Sequence, residues 1–263
     1  MTALEDVLHD LAAENEQLDG WVADLENTGW SAVTTPEGWT VAHQVAHLHW
    51  TDAASLTAVA GGDGFDAMMQ LASADPTGFV DAEAERVAQT SPEDLLAVWR
   101  TGRADLADAL RAVPDGEKIA WFGPPMSATS MATARFMETW AHGHDVAEAL
   151  GAAVPRTDRV RHVCHLGVRT RGFAYGMRGR EAPAVEVRVE LTAPSGTTWT
   201  WGPEDAPDRV TGDGWDFALL ATRRRHRDDV DVHATGAAAD EWLDIAQTFA
   251  GLPGNDPIRM SER

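Results

Sequence analysis

Cysteine is almost missing from this chain: Cys164 is the only one in 263 residues. A single thiol excludes an internal disulfide framework and is compatible with a reducing cytosol. Lysine is as scarce, with Lys118 alone, and acidic residues outnumber basic ones 42 to 21, giving a net charge of −21. Such a surface repels phosphate backbones and anionic headgroups, which argues against non-specific binding to nucleic acid or membrane. No apolar run nears the roughly 18 to 20 residues that a bilayer span requires. The first ten residues also lack the basic region and apolar core of a secretory signal. The expectation is a cytoplasmic protein, monomer or homodimer, whose partners are small molecules.

What is present is globular material, 44% hydrophobic and 24% charged, with eleven tryptophans against one tyrosine. Residues 3–28 carry Leu4, Val7, Leu8, Leu11, Leu18, Trp21, Val22 and Leu25 at helical spacing. A turn over 34–38 precedes a helix capped by Thr40 and running to about Ala60, where Gly61-Gly-Asp-Gly64 breaks it. Ser91-Pro-Glu-Asp94 is a helix start, with a capping hydroxyl, a first-turn proline and acids at the positive end of the dipole, and that helix runs to about Val113. Ser127 to Ser130 caps another, to about Leu150. Long helices of this kind predict a four-helix bundle.

Beyond Gly151-Ala-Ala-Val-Pro155 the pattern changes. A helix is expected over 158–175, then a strictly alternating strand over 185–191, a turn at Pro194-Ser-Gly196 and a return strand over 197–201. A short helix over 214–223, a strand over 230–234 and a helix over 237–250 complete the expectation. The predicted fold class is α+β: a helical bundle over 1–152, a smaller α+β domain over 153–254, and a frayed tail over 255–263.

The chemistry-bearing residues cluster in the bundle. In Arg135-Phe-Met-Glu-Thr-Trp-Ala-His-Gly-His-Asp145, Glu138 and His142 lie four apart, so a carboxylate and an imidazole stack on one helical face. Thr40-Val-Ala-His-Gln-Val-Ala-His-Leu-His-Trp50 offers His43, His47 and His49 on a second helix. His47, Glu138 and His142 can converge on one divalent ion if the two helices pack together. Three protein ligands leave positions open, as a catalytic site requires. His43 and His47 are also four apart, and periodicity alone does not choose between these ligand sets.

The wording of these two segments, Trp39 to Leu48 and Arg135 to Val146, resembles the DinB-like metalloenzyme superfamily, in particular its mycothiol-dependent maleylpyruvate isomerase branch. His165-Leu-Gly-Val-Arg-Thr-Arg171, Trp199-Thr-Trp-Gly-Pro203 and Arg223-Arg-Arg-His-Arg-Asp-Asp229 resemble the C-terminal domain of an actinobacterial metal-binding subfamily, sometimes labelled wyosine-base-formation-like. The resemblance spans nearly the whole chain and implies His47, Glu138 and His142 as the metal ligands. Two departures are His43 and His144, which are expected as groups behind the ligands, extra ligands or proton carriers, or as solvated histidines.

Two imidazoles and a carboxylate suit Zn²⁺ first, with Ni²⁺, Fe²⁺ and Mn²⁺ as alternatives. The resemblance implies a metal-dependent enzyme that activates a low-molecular-weight thiol, mycothiol or one like it, against an electrophilic small molecule, as isomerase or S-transferase. A hydrolase using metal-bound water and a non-catalytic small-molecule-binding module are the alternatives. The second domain is expected to close over the site and supply arginines for the thiol's carboxylate or hydroxyls. Arg224, Arg225 and His144 are the catalytic candidates and Arg223 and Arg227 the cofactor-binding ones, with Arg169 and Arg171 behind them. Asp145 is a candidate to orient a ligand histidine. Cys164 is expected to be a buried small hydrophobe.

Overall fold

The computed structural model describes residues 2–252 and 254–262, and divides into two units, Met1–Val154 and Pro155–Arg263. Among the described residues no helix is long and apolar enough to cross a membrane.

Four long helices build the first unit: α1 (Ala3–Val22), α3 (Val41–Ala60), α6 (Pro92–Ala112) and α7 (Ala128–Leu150). Local chemistry sets their starts. Ser91 Oγ accepts the Asp94 N–H at 3.2 Å with Pro92 in the first turn, and Ser127 Oγ accepts the Ser130 N–H at 3.2 Å. Helix α7 stops at Gly151, whose φ of 63° places it in the left-handed region that glycine enters without steric cost. Helix α1 packs on α7, α7 on α3, and α3 on α6. Their apolar stripes meet around Leu18, Val45, Leu48, Leu95, Trp99 and Val146, all buried. Asp19 on α1 takes both Arg100 (Nε, 2.8 Å) and Arg103 (2.8 Å) from α6. The hydrogen bond from Arg100 holds its carboxyl below the ordinary range.

Three short helices depart from the sequence expectation. The helix expected to reach residue 28 ends at Val22, and α2 (Asn27–Trp30) follows after a bend that seats Trp30 in the core. Beyond the glycine break, α4 (Asp63–Ala74) and α5 (Phe79–Ala88) form a pair of helices the periodicity did not reveal, because each buries only one or two side chains. Helix α5 lies along α3.

The second unit holds α8 (Arg161–Arg169) and α9 (Arg171–Gly176), separated at Thr170, where one helix was expected. Strands β1 (Val187–Thr192), β2 (Thr198–Trp201), β3 (Asp208–Asp213) and β4 (Val232–Thr235) form a mixed sheet of order β2-β1-β3-β4. β1 pairs antiparallel with β2 as the expected hairpin and parallel with β3, with Val189 opposite Val210. Helices α10 (Gly214–Ala221) and α11 (Ala237–Ile245) complete the unit. Buried Asp208 on β3 accepts the Ala238 and Ala239 N–H groups at 2.7 and 3.0 Å and so caps α11. Gly236 makes room for it: a Cβ there would lie 2.2 Å from the carboxylate carbon. After α11, Arg223 holds Asp256 at 2.7 Å and Arg259 holds Asp228 at 2.7 Å.

Candidate metal centre

Helices α3 and α7 lie side by side in the first unit, and the two stretches that carry histidine face each other there. His47 projects from α3, and Glu138 and His142 project one turn apart from α7. Glu138 Oε2 lies 3.3 Å from His47 Nε2 and 3.1 Å from His142 Nε2. One donor atom from each of the three residues falls within 4.8 Å of the other two. Ligand atoms of a tetrahedral zinc ion are roughly 3.3 Å apart when the metal–ligand bonds are about 2.0 Å. The donor set and its spacing therefore fit a divalent ion held by two nitrogens and one oxygen.

The surroundings differ on the two sides. The His47 and His142 side chains are 9% and 11% exposed, whereas that of Glu138 is 19% exposed and forms the more open edge of the cluster. The two imidazole rings are 4.5 Å apart, and the Trp39 indole covers both, at 5.4 Å from His47 and stacked at 5.8 Å on His142. Trp39 is itself fixed by its Nε1–H, which donates to Asp81 at 3.0 Å. Burial alone pushes the Glu138 carboxyl up. Hydrogen bonds and charge from His142 and His47 outweigh that and hold it well below the ordinary carboxylate range.

Two buried polar groups that sequence reasoning missed support the cluster. Gln44, fully buried on α3, has Oε1 2.5 Å from His142 Nδ1, and its amide nitrogen donates to Thr34 Oγ1 at 2.8 Å. Asp145, one candidate for that role, stands 3.9 Å from His142 Nδ1, beyond hydrogen-bond range. Arg135, one turn before Glu138 and 1% exposed, donates from Nε to Asp52 Oδ1 at 2.8 Å and so ties α7 to α3.

The remaining candidates lie elsewhere. His43 Nδ1 accepts the Thr40 backbone N–H at 3.2 Å, forming a capping box at the start of α3, while its Nε2 meets Glu85 at 2.6 Å. Both nitrogens are thus engaged, and His43 is outside the three-residue cluster. His144 follows His142 by two residues, roughly 200° around the helix, and stacks on Trp140 with its ring plane 9° from parallel. Cys164 is buried, its Sγ–H donates to Gly214 O at 3.0 Å, and burial pushes its thiol up.

The arginines of the 223–227 run belong to the second unit. Arg223, Arg225 and Arg227, with Arg259, line a cavity of about 470 Å³, interleaved with Asp228, Asp244 and Asp256. Arg227 is clamped by Asp240 and Asp244, each at 2.5 Å, and Arg223 by Asp256. Arg224 and Arg225 donate to the carbonyls of Thr222 and Arg224, each at 2.8 Å. Arg223 has a φ of 59° and is the one non-glycine residue with positive φ among the described residues. Arg171 donates to the carbonyls of Val185 and Pro183.

Comparison with known proteins follows the same division. Residues 11–147 match the family model described as mycothiol maleylpyruvate isomerase N-terminal domain, and residues 183–235 match one described as wyosine base formation. Proteins of Mycobacterium tuberculosis strains ATCC 25618 / H37Rv and CDC 1551 / Oshkosh, both described as uncharacterized, are each 54% identical over 245 residues, covering 93% of this chain and 95% of theirs. The crystal structure of the mycothiol-dependent maleylpyruvate isomerase superposes with a TM-score of 0.59 at 18% identity, over 88% of this chain and 92% of that one. A mutant of that enzyme gives a TM-score of 0.58 at the same identity and coverage. At that identity the likeness is one of fold.

Proposed function

Because this chain belongs to the mycothiol maleylpyruvate isomerase N-terminal domain family, we propose that it is a metal-dependent enzyme that activates a low-molecular-weight thiol. The thiol is mycothiol or one like it, and the reaction is attack on an electrophilic small molecule, as isomerase or S-transferase. One observation carries the reading: a single carboxylate oxygen stands 3.1 and 3.3 Å from two imidazole nitrogens at the open edge of a covered cluster. His47, Glu138 and His142 hold the ion, with Zn²⁺ first among Zn²⁺, Ni²⁺, Fe²⁺ and Mn²⁺. When bound, a divalent ion supplies the positive charge that favours thiolate over thiol.

The chain's own residues set the conditions for that chemistry. Trp39 keeps water from one face of both rings, and the partly exposed side at Glu138 is the direction from which a thiol arrives. In an isomerisation the sulfur bonds to one carbon of an activated C=C, the resulting C–C single bond rotates, and the C–S bond breaks to return the thiol unchanged. In an S-transferase the adduct is the product. The 223–227 arginines suit the thiol's carboxylate or hydroxyls. Arg223 and Arg227, which hold Asp256 and Asp240 with Asp244, are the thiol-binding candidates, and Arg224 and Arg225, with His144, the catalytic ones.

Elemental analysis of protein purified without chelator or nickel resin tests the ligand assignment. One metal equivalent is expected in the wild type and in His49→Ala, and none in His47→Ala or Glu138→Ala. Equal metal content in all four proteins would defeat it. Titration of mycothiol into the zinc-loaded protein, with consumption of thiol or isomerisation of maleylpyruvate as readout, tests the thiol. Turnover of an ester without thiol points instead to a hydrolase.

A further inference from the structure

We infer that Gln44 is a positioning residue that locks His142 in the tautomer a metal needs, through a hydrogen-bond chain anchored on the backbone of Trp39. The inference rests on the metal reading above and deepens it. Thr34 Oγ1 lies 3.0 Å from the Trp39 carbonyl oxygen, which can only accept. A hydroxyl that close has to donate, or two oxygen lone pairs are pressed together. With its one proton spent there, Thr34 Oγ1 accepts from Gln44, 2.8 Å away, so the amide NH₂ faces Thr34. Gln44 Oε1 therefore faces His142 Nδ1 at 2.5 Å, and Nδ1 carries the proton.

When the ring is neutral, its bare Nε2 lone pair faces Glu138 Oε2, at 3.1 Å. In metal-free protein a proton on Nε2 bridges that contact, and a cation between the ligands takes the proton's place. The chain is also closed on itself, because the residue that ends it, Trp39, stacks its indole on the His142 ring. His47 has no such brace: its Nδ1 is buried without a hydrogen-bond partner. The two ligand histidines are therefore unequal, and the segment leading into α3 sets the geometry of a ligand on α7.

Three variants of the full-length protein test this. Gln44→Met keeps the side-chain volume and loses the acceptor, Gln44→Glu keeps an acceptor at Nδ1, and Thr34→Val keeps the shape but frees the amide to turn. Zinc affinity, measured by competition with a chromogenic chelator, should fall about 10- to 100-fold in Gln44→Met, less in Thr34→Val, and return in Gln44→Glu. Rescue by Gln44→Glu separates positioning from packing. Long-range ¹⁵N–¹H spectra of metal-free protein at about pH 8, above the ordinary imidazole range, should show His142 protonated at Nδ1. A His142 without a proton at Nδ1 in wild-type protein, or Gln44→Met binding zinc as tightly as wild type, overturns the inference. Wild-type protein that binds none of Zn²⁺, Ni²⁺, Fe²⁺ and Mn²⁺ defeats the metal reading instead, and the tautomer still decides the role of Gln44.

Discussion

Replacing Arg135 with methionine should destabilise the helical unit more than the loss of any surface ion pair in it. Arg135 and Asp52 are 1% and 5% exposed, and the guanidinium reaches both the Asp52 carboxylate (2.8 Å) and the Leu48 carbonyl (3.3 Å). Methionine fills most of the volume but leaves the Asp52 carboxylate without its guanidinium partner between α3 and α7. Removing one partner of a buried pair costs about 3–5 kcal/mol, a large part of the roughly 5–15 kcal/mol that holds a domain together. The cost has a pH signature. Burial pushes the Asp52 carboxyl above its ordinary 3.8, and Arg135 opposes that push. A carboxyl that binds its proton more tightly in the folded state loses stability as pH rises from its unfolded value through its folded one. Without Arg135 the folded value climbs further, so the deficit is greatest at neutral pH and shrinks toward pH of about 4. Native-state hydrogen exchange on α3 and α7 amides reads this unit alone and avoids treating a two-unit chain as two-state. Asp52→Leu combined with Arg135→Met should recover much of the loss, since two apolar groups leave no stranded charge. A loss under about 1 kcal/mol at neutral pH, or one that does not change with pH, would refute the reasoning.

Other outcomes follow from single contacts. Cys164 should resist iodoacetamide in the native protein and react only on unfolding, because it is buried and hydrogen-bonded to Gly214; rapid native labelling contradicts this. Burial lowers the basicity of His49, so its unfolded form binds protons first and stability falls as pH drops below the ordinary 6.5. His49→Gln should flatten the unfolding profile of the first unit between about pH 5 and 7, and an unchanged profile would count against it. Chelation should lower the melting temperature of that unit, since 100-fold excess ligand over Kd adds about 2.7 kcal/mol; an unmoved midpoint in zinc-loaded protein would be inconsistent with a cation bridging α3 and α7. Arg223→Gly relieves a left-handed arginine and removes a side chain 9% exposed, with its ion pair to Asp256 and its hydrogen bond to the Asn255 carbonyl. The two effects are of similar size, so thermal unfolding should stay within about 1 kcal/mol of wild type.

What the sequence made legible was local. Ser91 with Pro92, Ser127 and the apolar spacing of the long helices announce their elements within one or two turns, and the α+β division follows from the strict alternation around Val187 and Val189. The parallel strand β3 escaped because Asp208-Arg-Val-Thr-Gly-Asp213 has one apolar side chain, Val210, and is stabilised by neighbours distant in sequence. Helices α4 and α5 escaped because they are mostly exposed. Periodicity placed His43 and His47 on an equal footing. The structure separates them, since His43 fills the third position of a capping box usually taken by Glu or Gln and His47 does not. Gln44 and Asp52 gave no signal because their partners, His142 and Arg135, are 98 and 83 residues away.

Every atom assigned to grip the ion comes from α3 and α7, and the residues that brace them, Thr34, Trp39, Gln44, Asp52 and Arg135, also precede residue 151. The proposed ligand set is thus inherited whole with the helical half. Mutation, insertion or outright exchange beyond residue 154 leaves every proposed ligand and every residue that braces it in the chain.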